Sequence, residues 1–138
     1  MNCYVDSSVV LRVLSGQENA WKEWGRWERA YSSTLLRIEC RHFIDRVRIE
    51  GQWNDDDLAH AGGQLRKLER VLSKVRLTAA VLERASLPMP TIVKTLDAIH
   101  IASASLVREK SHTSLVFVTH DQQQARAARA LGFETIPA

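Results

Sequence analysis

The sequence predicts an α/β fold: a three-layer domain in which a central parallel sheet is flanked by helices. Three observations carry this. Short apolar runs such as NCYVD and SLVFVT alternate with longer segments of helical periodicity, the order that βαβ units require. Asp6 and Asp121 close two of those runs where the chain turns from strand to helix, the position at which parallel sheets present ligand-binding groups. A length of 138 residues with 45% apolar content fits one compact domain spanning residues 1–138.

Taken in order, Asn2 to Asp6 reads as the first strand, and Ser7 or Ser8 caps a helix that ends near Gly16. Gln17 to Ala30 carries Trp21, Trp24 and Trp27 at helical spacing, and a brief extended piece follows around Tyr31 and Ser32. A long helix runs from about Thr34 to Glu50, with Leu36, Cys40, Phe43 and Val47 on one apolar stripe. Gly51 stops it, and Asn54 or Asp55 caps the next helix, which presents Leu58, Leu65 and Leu68. Val75 to Leu77 reads as a short strand, Thr78 to Ser86 as a helix, and Pro88 with Pro90 as a turn. Near Thr95 the helix LDAIHIASASLV opens; strand SLVFVT, helix DQQQARAARAL with Gly132 at its C-cap, and strand FETIP complete the chain.

The composition excludes several classes. Charged residues make up 25%, ordinary for a soluble protein, and no apolar run approaches the ~20 residues that cross a bilayer. The start MNCYVDSSVV lacks a basic region and a small-residue cleavage site, so cytoplasmic residence without membrane association is expected. Cys3 and Cys40 form no CxxC pair; they read as reduced, buried small hydrophobes, not as a zinc site. A net charge of +3 permits a polyanionic partner without demanding one.

Four of the sixteen acidic residues stand where acids are costly. Asp6 and Asp121 follow apolar strands; Asp97 is crowded by Leu96, Ala98, Ile99 and Ile101; Glu39 borders the apolar stripe of its helix. Singly, each has a plain explanation: helix caps or first-turn acids for the aspartates, and a surface ion pair with Arg41 or Arg46 for Glu39. Together they imply a cluster. At an effective dielectric near 20, a like-charge pair at ~4 Å costs on the order of 4 kcal/mol, against a net stability of ~5–15 kcal/mol. Such a cluster either takes up protons or surrounds a divalent cation; the cation is favoured here. Oxygen-only ligands select Mg²⁺ or Mn²⁺.

These residues resemble a known family. YVDSSVV, with its D-x-S arrangement, is similar to the opening of a PIN domain; LLRIECRHF resembles the family's internal glutamate helix; TLDAIHIASA is very similar to its most recognisable segment; and FVTHDQQQARAARALGF resembles its last acidic strand-to-helix turn. The matches come in order and span nearly the whole chain, and chains of this length resemble the VapC-type toxins of bacterial toxin–antitoxin pairs. The resemblance implies a PIN-like parallel sheet and a metal-dependent endoribonuclease with Asp6, Glu39, Asp97 and Asp121 as catalytic, metal-binding acids. It implies an RNA substrate, an antitoxin that covers the acidic groove, and a homodimer. Ser8 and Thr119 fall where the family often has a hydroxyl that orients a carboxylate or water. The chain departs from members with a further acid after the last aspartate, since Gln122, Gln123 and Gln124 stand there.

The expected chemistry is in-line attack by an activated water, leaving 5′-phosphate and 3′-hydroxyl ends. Arg12, Arg37, Arg41, Lys94, Arg126 and Arg129 are candidates for phosphate contacts, with Arg12 and Lys94 preferred for their nearness to the acidic end. His100 and His120 read as a packed helix histidine and an exposed strand-end histidine, and the tryptophans as core or interface. A haloacid-dehalogenase-like phosphatase needs a second acid two residues after Asp6, where Ser8 stands, and a receiver-type phosphoacceptor needs an early acidic pair. The remaining alternative is a catalytically inactive PIN-like interaction module.

Overall fold

Cys3, Tyr4 and Val5 are all inaccessible to solvent, as a strand covered on both faces must be, and this places the first strand at the centre of the sheet. The structure is a computed structural model that describes residues 1–137. In chain order its elements are β1 (Asn2–Val5), α1 (Ser7–Leu14), β2 (Arg29–Ser33), α2 (Leu35–Ile49), α3 (Asp55–Arg70), β3 (Ser73–Val75), α4 (Ala79–Ser86), α5 (Thr95–Ser111), β4 (Val116–Thr119), α6 (Gln122–Ala130) and β5 (Glu134–Pro137). The five strands form one sheet in the order β3-β2-β1-β4-β5, every neighbouring pair parallel.

Alternation along β1 and β4 assigns the two covering layers. Cys3, Val5, Val116 and Val118 pack with Val9 and Val10 of α1, Leu36 and Cys40 of α2, and Leu65 and Leu68 of α3. Tyr4 and Phe117, stacked with ring centroids 5.5 Å apart, face Ile101 and Ala104 of α5 and Ala127 and Ala128 of α6. A smaller cluster of Leu35, Val81, Ile99 and Ala102 seats α4 against α5. The expected three-layer α/β architecture is therefore present.

Local expectations are met closely in α2, in the Gly51 stop at φ +71°, and in α3, where Asn54 and Asp57 form a capping box. Three differ. Gln17 to Ala30 is not a helix: isolated turns closed by i to i+3 bonds (Ala20 to Gln17, Trp24 to Trp21, Arg26 to Glu23) run between Gly16 and Gly25, both at positive φ. The tryptophan spacing serves those turns, bringing Trp24 and Trp21 against Trp27 at 5.0 and 6.0 Å and onto the core, as the core reading had it. The third strand is Ser73–Val75, two residues earlier than expected. The cap of α1 is Asp6, not a serine, its carboxylate accepting from the Ser8 N–H.

Candidate active site

The chain passes from β1 to β2 and β3 on one side and returns through β4 and β5 on the other, so the strand order reverses between β1 and β4. A crevice opens at the carboxyl ends of strands at such a switch point. Asp6 emerges there, its N–H still bonded to the Val118 carbonyl (3.0 Å), and so do Thr119 and Asp121. Glu39 reaches the same place from α2 and Asp97 from the first turn of α5.

Asp6 is 3% exposed. Its Oδ2 accepts from the Ser8 N–H (3.1 Å) and its Oδ1 from Gln124 Nε2 (3.2 Å), with Thr119 Oγ1 3.4 Å from Oδ2. Glu39 Oε2 accepts from Ser7 Oγ (2.9 Å), and Oε1 lies 2.8 Å from His100 Nε2. His100 Nδ1 in turn meets the Tyr4 hydroxyl at 2.8 Å, so a buried Tyr4–His100–Glu39 chain orients the glutamate. Asp121 caps α6, its Oδ1 accepting from the Gln123 and Gln124 N–H groups (2.9 and 3.2 Å). Glu39 thus takes neither of the surface ion pairs open to it in the sequence.

The electrostatics show that the acids share one neighbourhood. The Asp97 carboxyl is pushed up to about 6, first by burial, then by the negative charges of Asp6, Asp121 and Glu39, with His100 opposing. Burial pulls the His100 imidazole down, but Asp6, Glu39 and Asp97 outweigh it and the net shift is upward. Burial, with Asp6 next, raises the Tyr4 phenol well above its ordinary range, which keeps its proton in place beside His100. Cys3 and Cys40 are buried thiols pushed up to about 12 by burial, as expected of inert core cysteines.

Among the described residues no three His, Cys, Asp or Glu side chains already stand as a metal-holding group. The hydrogen bonds account for this: Asp6 and Glu39 turn their oxygens toward Ser7, the Ser8 N–H, His100 and Gln124. The donor set still fits a divalent ion. It consists of carboxylate oxygens in a partly buried crevice, where burial first and the neighbouring acids second disfavour bare negative charge at Asp97, a conflict that a hard cation relieves.

Other candidates divide. The Ser8 hydroxyl accepts from the His120 N–H (3.1 Å) and lies 3.4 Å from Thr119 Oγ1, while its main-chain N–H is what meets Asp6. Arg12 is half-buried near His120, whose imidazole is lowered by burial and then by that guanidinium. Lys94 is exposed at the N-cap of α5, one turn from Asp97. Arg37 is committed elsewhere, binding buried Glu69 through two contacts of 3.1 Å. Sequence reasoning missed Ser7, Tyr4 and Gln124; only Gln124 left a signal, as part of the glutamine run read as a departure.

Comparison with known proteins agrees with this fold. The PIN domain family model matches residues 3–130. The chain is 28% identical over 139 residues to Ribonuclease VapC47 of Mycobacterium tuberculosis (strain CDC 1551 / Oshkosh), covering 96% of this chain and 93% of that protein. Two solved structures share the fold. PAE2754 from Pyrobaculum aerophilum superposes with a TM-score of 0.60 at 20% identity, over 98% of this chain and 92% of its own. VapBC2 from Rickettsia felis, solved bound to a DNA fragment from their promoter, gives a TM-score of 0.62 at 11% identity, over 99% and 98%. With a family model spanning β1 to α6 and the acids gathered at the switch point, the chain belongs to the PIN domain family.

Proposed function

We propose that this single PIN-like domain is a Mg²⁺- or Mn²⁺-dependent endoribonuclease, the toxin of a type II toxin–antitoxin pair. The observation that carries the reading is the gathering of acids at the carboxyl end of a parallel sheet: His100 Nε2 lies 2.8 Å from Glu39 and 3.6 Å from Asp6, and Gln124 Nε2 bridges Asp6 and the Asp97 carbonyl. The likeness to a VapC ribonuclease over nearly the whole chain supports the RNA substrate and the toxin role. The fold shared with a VapBC protein supports a cognate antitoxin partner. A homodimer is part of the proposal, supported by the exposed apolar side chains Leu82, Leu87 and Ile92 beside the start of α5. Cytoplasmic residence is proposed as well; no helix among the described residues is long and apolar enough to cross a membrane.

In this reading Asp6, Glu39, Asp97 and Asp121 hold the ion. When bound, the divalent cation supplies charge neutralisation at the scissile phosphate and a lowered pKa for the attacking water. The chain's own residues do the rest. His100 and Ser7 fix the two oxygens of Glu39, and the Ser8 N–H and Gln124 fix those of Asp6. Thr119 ties Asp121 to the end of β4 through the Asp121 N–H (3.0 Å). Arg12, half-buried near His120, and Lys94, exposed at the N-cap of α5, would neutralise phosphate charge on the RNA backbone. Attack in line with the departing 3′-oxygen leaves 5′-phosphate and 3′-hydroxyl ends.

The test is cleavage of total RNA by the purified chain, with and without EDTA, followed by sequencing of the ends. Chelation should silence the protein and Mn²⁺ restore it, with 5′-phosphate products. Cleavage that resists EDTA, or 2′,3′-cyclic ends, would reject the metal-dependent reading.

A further inference from the structure

Gln124 is fully buried, a rare place for glutamine, and its amide is engaged at both ends. Nε2 donates to Asp6 Oδ1 (3.2 Å) and to the main-chain carbonyl of Asp97 (3.4 Å), while Oε1 accepts from Thr119 Oγ1 (2.6 Å). The orientation of the amide is forced. Thr119 Oγ1 accepts the Asp121 N–H, so its own proton is free to donate, and both groups facing Nε2 are acceptors. One uncharged side chain of α6 therefore ties the end of β1, the end of β4 and the first turn of α5. A leucine or methionine there would leave Asp6 Oδ1 and the Asp97 carbonyl without this donor. A glutamate would press another carboxylate on Asp6.

The geometry points to Gln124 as the positioning residue of the site, an amide that holds the Asp6 carboxylate and the Asp97 backbone in one arrangement and so readies the acids for a divalent ion. This rests on the proposed metal-dependent function and adds to it a residue that is not a ligand, because its only oxygen is spent on Thr119. The two act as a pair: the Thr119 hydroxyl orients the amide, and the amide orients Asp6.

The test measures Mn²⁺ binding to the full-length protein by calorimetry, alongside RNA cleavage kinetics and the melting temperature without metal. Gln124→Met should weaken Mn²⁺ binding about 10- to 100-fold, the range for partners that orient metal ligands. It should lower kcat by a similar factor and leave KM for RNA within about twofold. Thr119→Val should reproduce the loss and Thr119→Ser should recover most of it. The double variant Gln124→Met/Thr119→Val should be no weaker than the poorer single variant, as expected of groups acting through one chain of contacts. Should Gln124→Met fail to fold, the Thr119→Val and Thr119→Ser pair decides alone, by whether Mn²⁺ affinity follows the hydroxyl. A Gln124→Met protein that melts lower but binds Mn²⁺ and turns over like wild type overturns the inference, as do losses that multiply in the double variant. If wild type neither binds Mn²⁺ nor cuts RNA, the functional reading falls and this inference with it; if wild type does both and Gln124→Met does too, only the role of Gln124 falls.

Discussion

Asp97 carries the charge conflict of the site, and pH reads it out. Its folded carboxyl sits at about 6, above the ordinary 3.8, so the stability it contributes is complete below its ordinary value and is lost as pH rises through about 6. His100 acts in the same sense, since its raised value favours the protonated, folded form and that advantage disappears as the proton leaves. The metal-free protein should therefore melt at lower temperature at pH 7.5 than at pH 5. Asp97→Asn should flatten that fall and melt higher than wild type at pH 7.5, while losing RNA cleavage; an unchanged pH slope in the variant would remove Asp97 from the cluster. Saturating Mn²⁺ should restore stability most at the higher pH, because carboxylates bind metal only when deprotonated. Among single residues, the four acids stood out in the sequence by their places at strand ends or beside apolar residues. Ser7, Tyr4 and Gln124 were not, since what makes them matter is a partner 32, 96 or 118 positions away.

Among elements, legibility followed the strength of the local pattern. The stripe Leu36, Cys40, Phe43 and Val47 gave α2 almost to the residue, and the glycine at φ +71° closed it. Asn54 announced α3, and its side chain accepts from the Asp57 N–H (2.8 Å) while the Asp57 carboxylate accepts from the Asn54 N–H (3.2 Å). Asn54→Ala should lower stability by about 1 kcal/mol and leave RNA cleavage per folded molecule unchanged, because the box lies on the surface away from the acids; denaturant unfolding paired with a cleavage assay checks both. The segment from Gln17 to Ala30 defeated the same reading. A three-residue spacing of large aromatics suits a helix and a series of i to i+3 turns alike, and here packing of Trp27 between its two neighbours decided for the turns. The sequence offered both Asp6 and the serines after it as caps of α1, and the fold takes the aspartate.

For the whole molecule, the parallel order β3-β2-β1-β4-β5 is what turns scattered acids into a site. Strand alternation in the sequence predicted the layers, yet it could not order the strands, and only that order places Asp6 beside Thr119, 113 positions away. The chain carries a net charge of +3 while its acids crowd one crevice, an anionic pocket on a cationic body. Such a field draws a polyanion to the surface and a cation to the pocket. The most direct test of a shared ion is anomalous scattering at the manganese edge from crystals of the protein grown with Mn²⁺. The account predicts a peak among Asp6, Glu39, Asp97 and Asp121 with carboxylate oxygens at coordination distance. Crystals that show no peak there, or manganese bound only at other surface carboxylates, would contradict it.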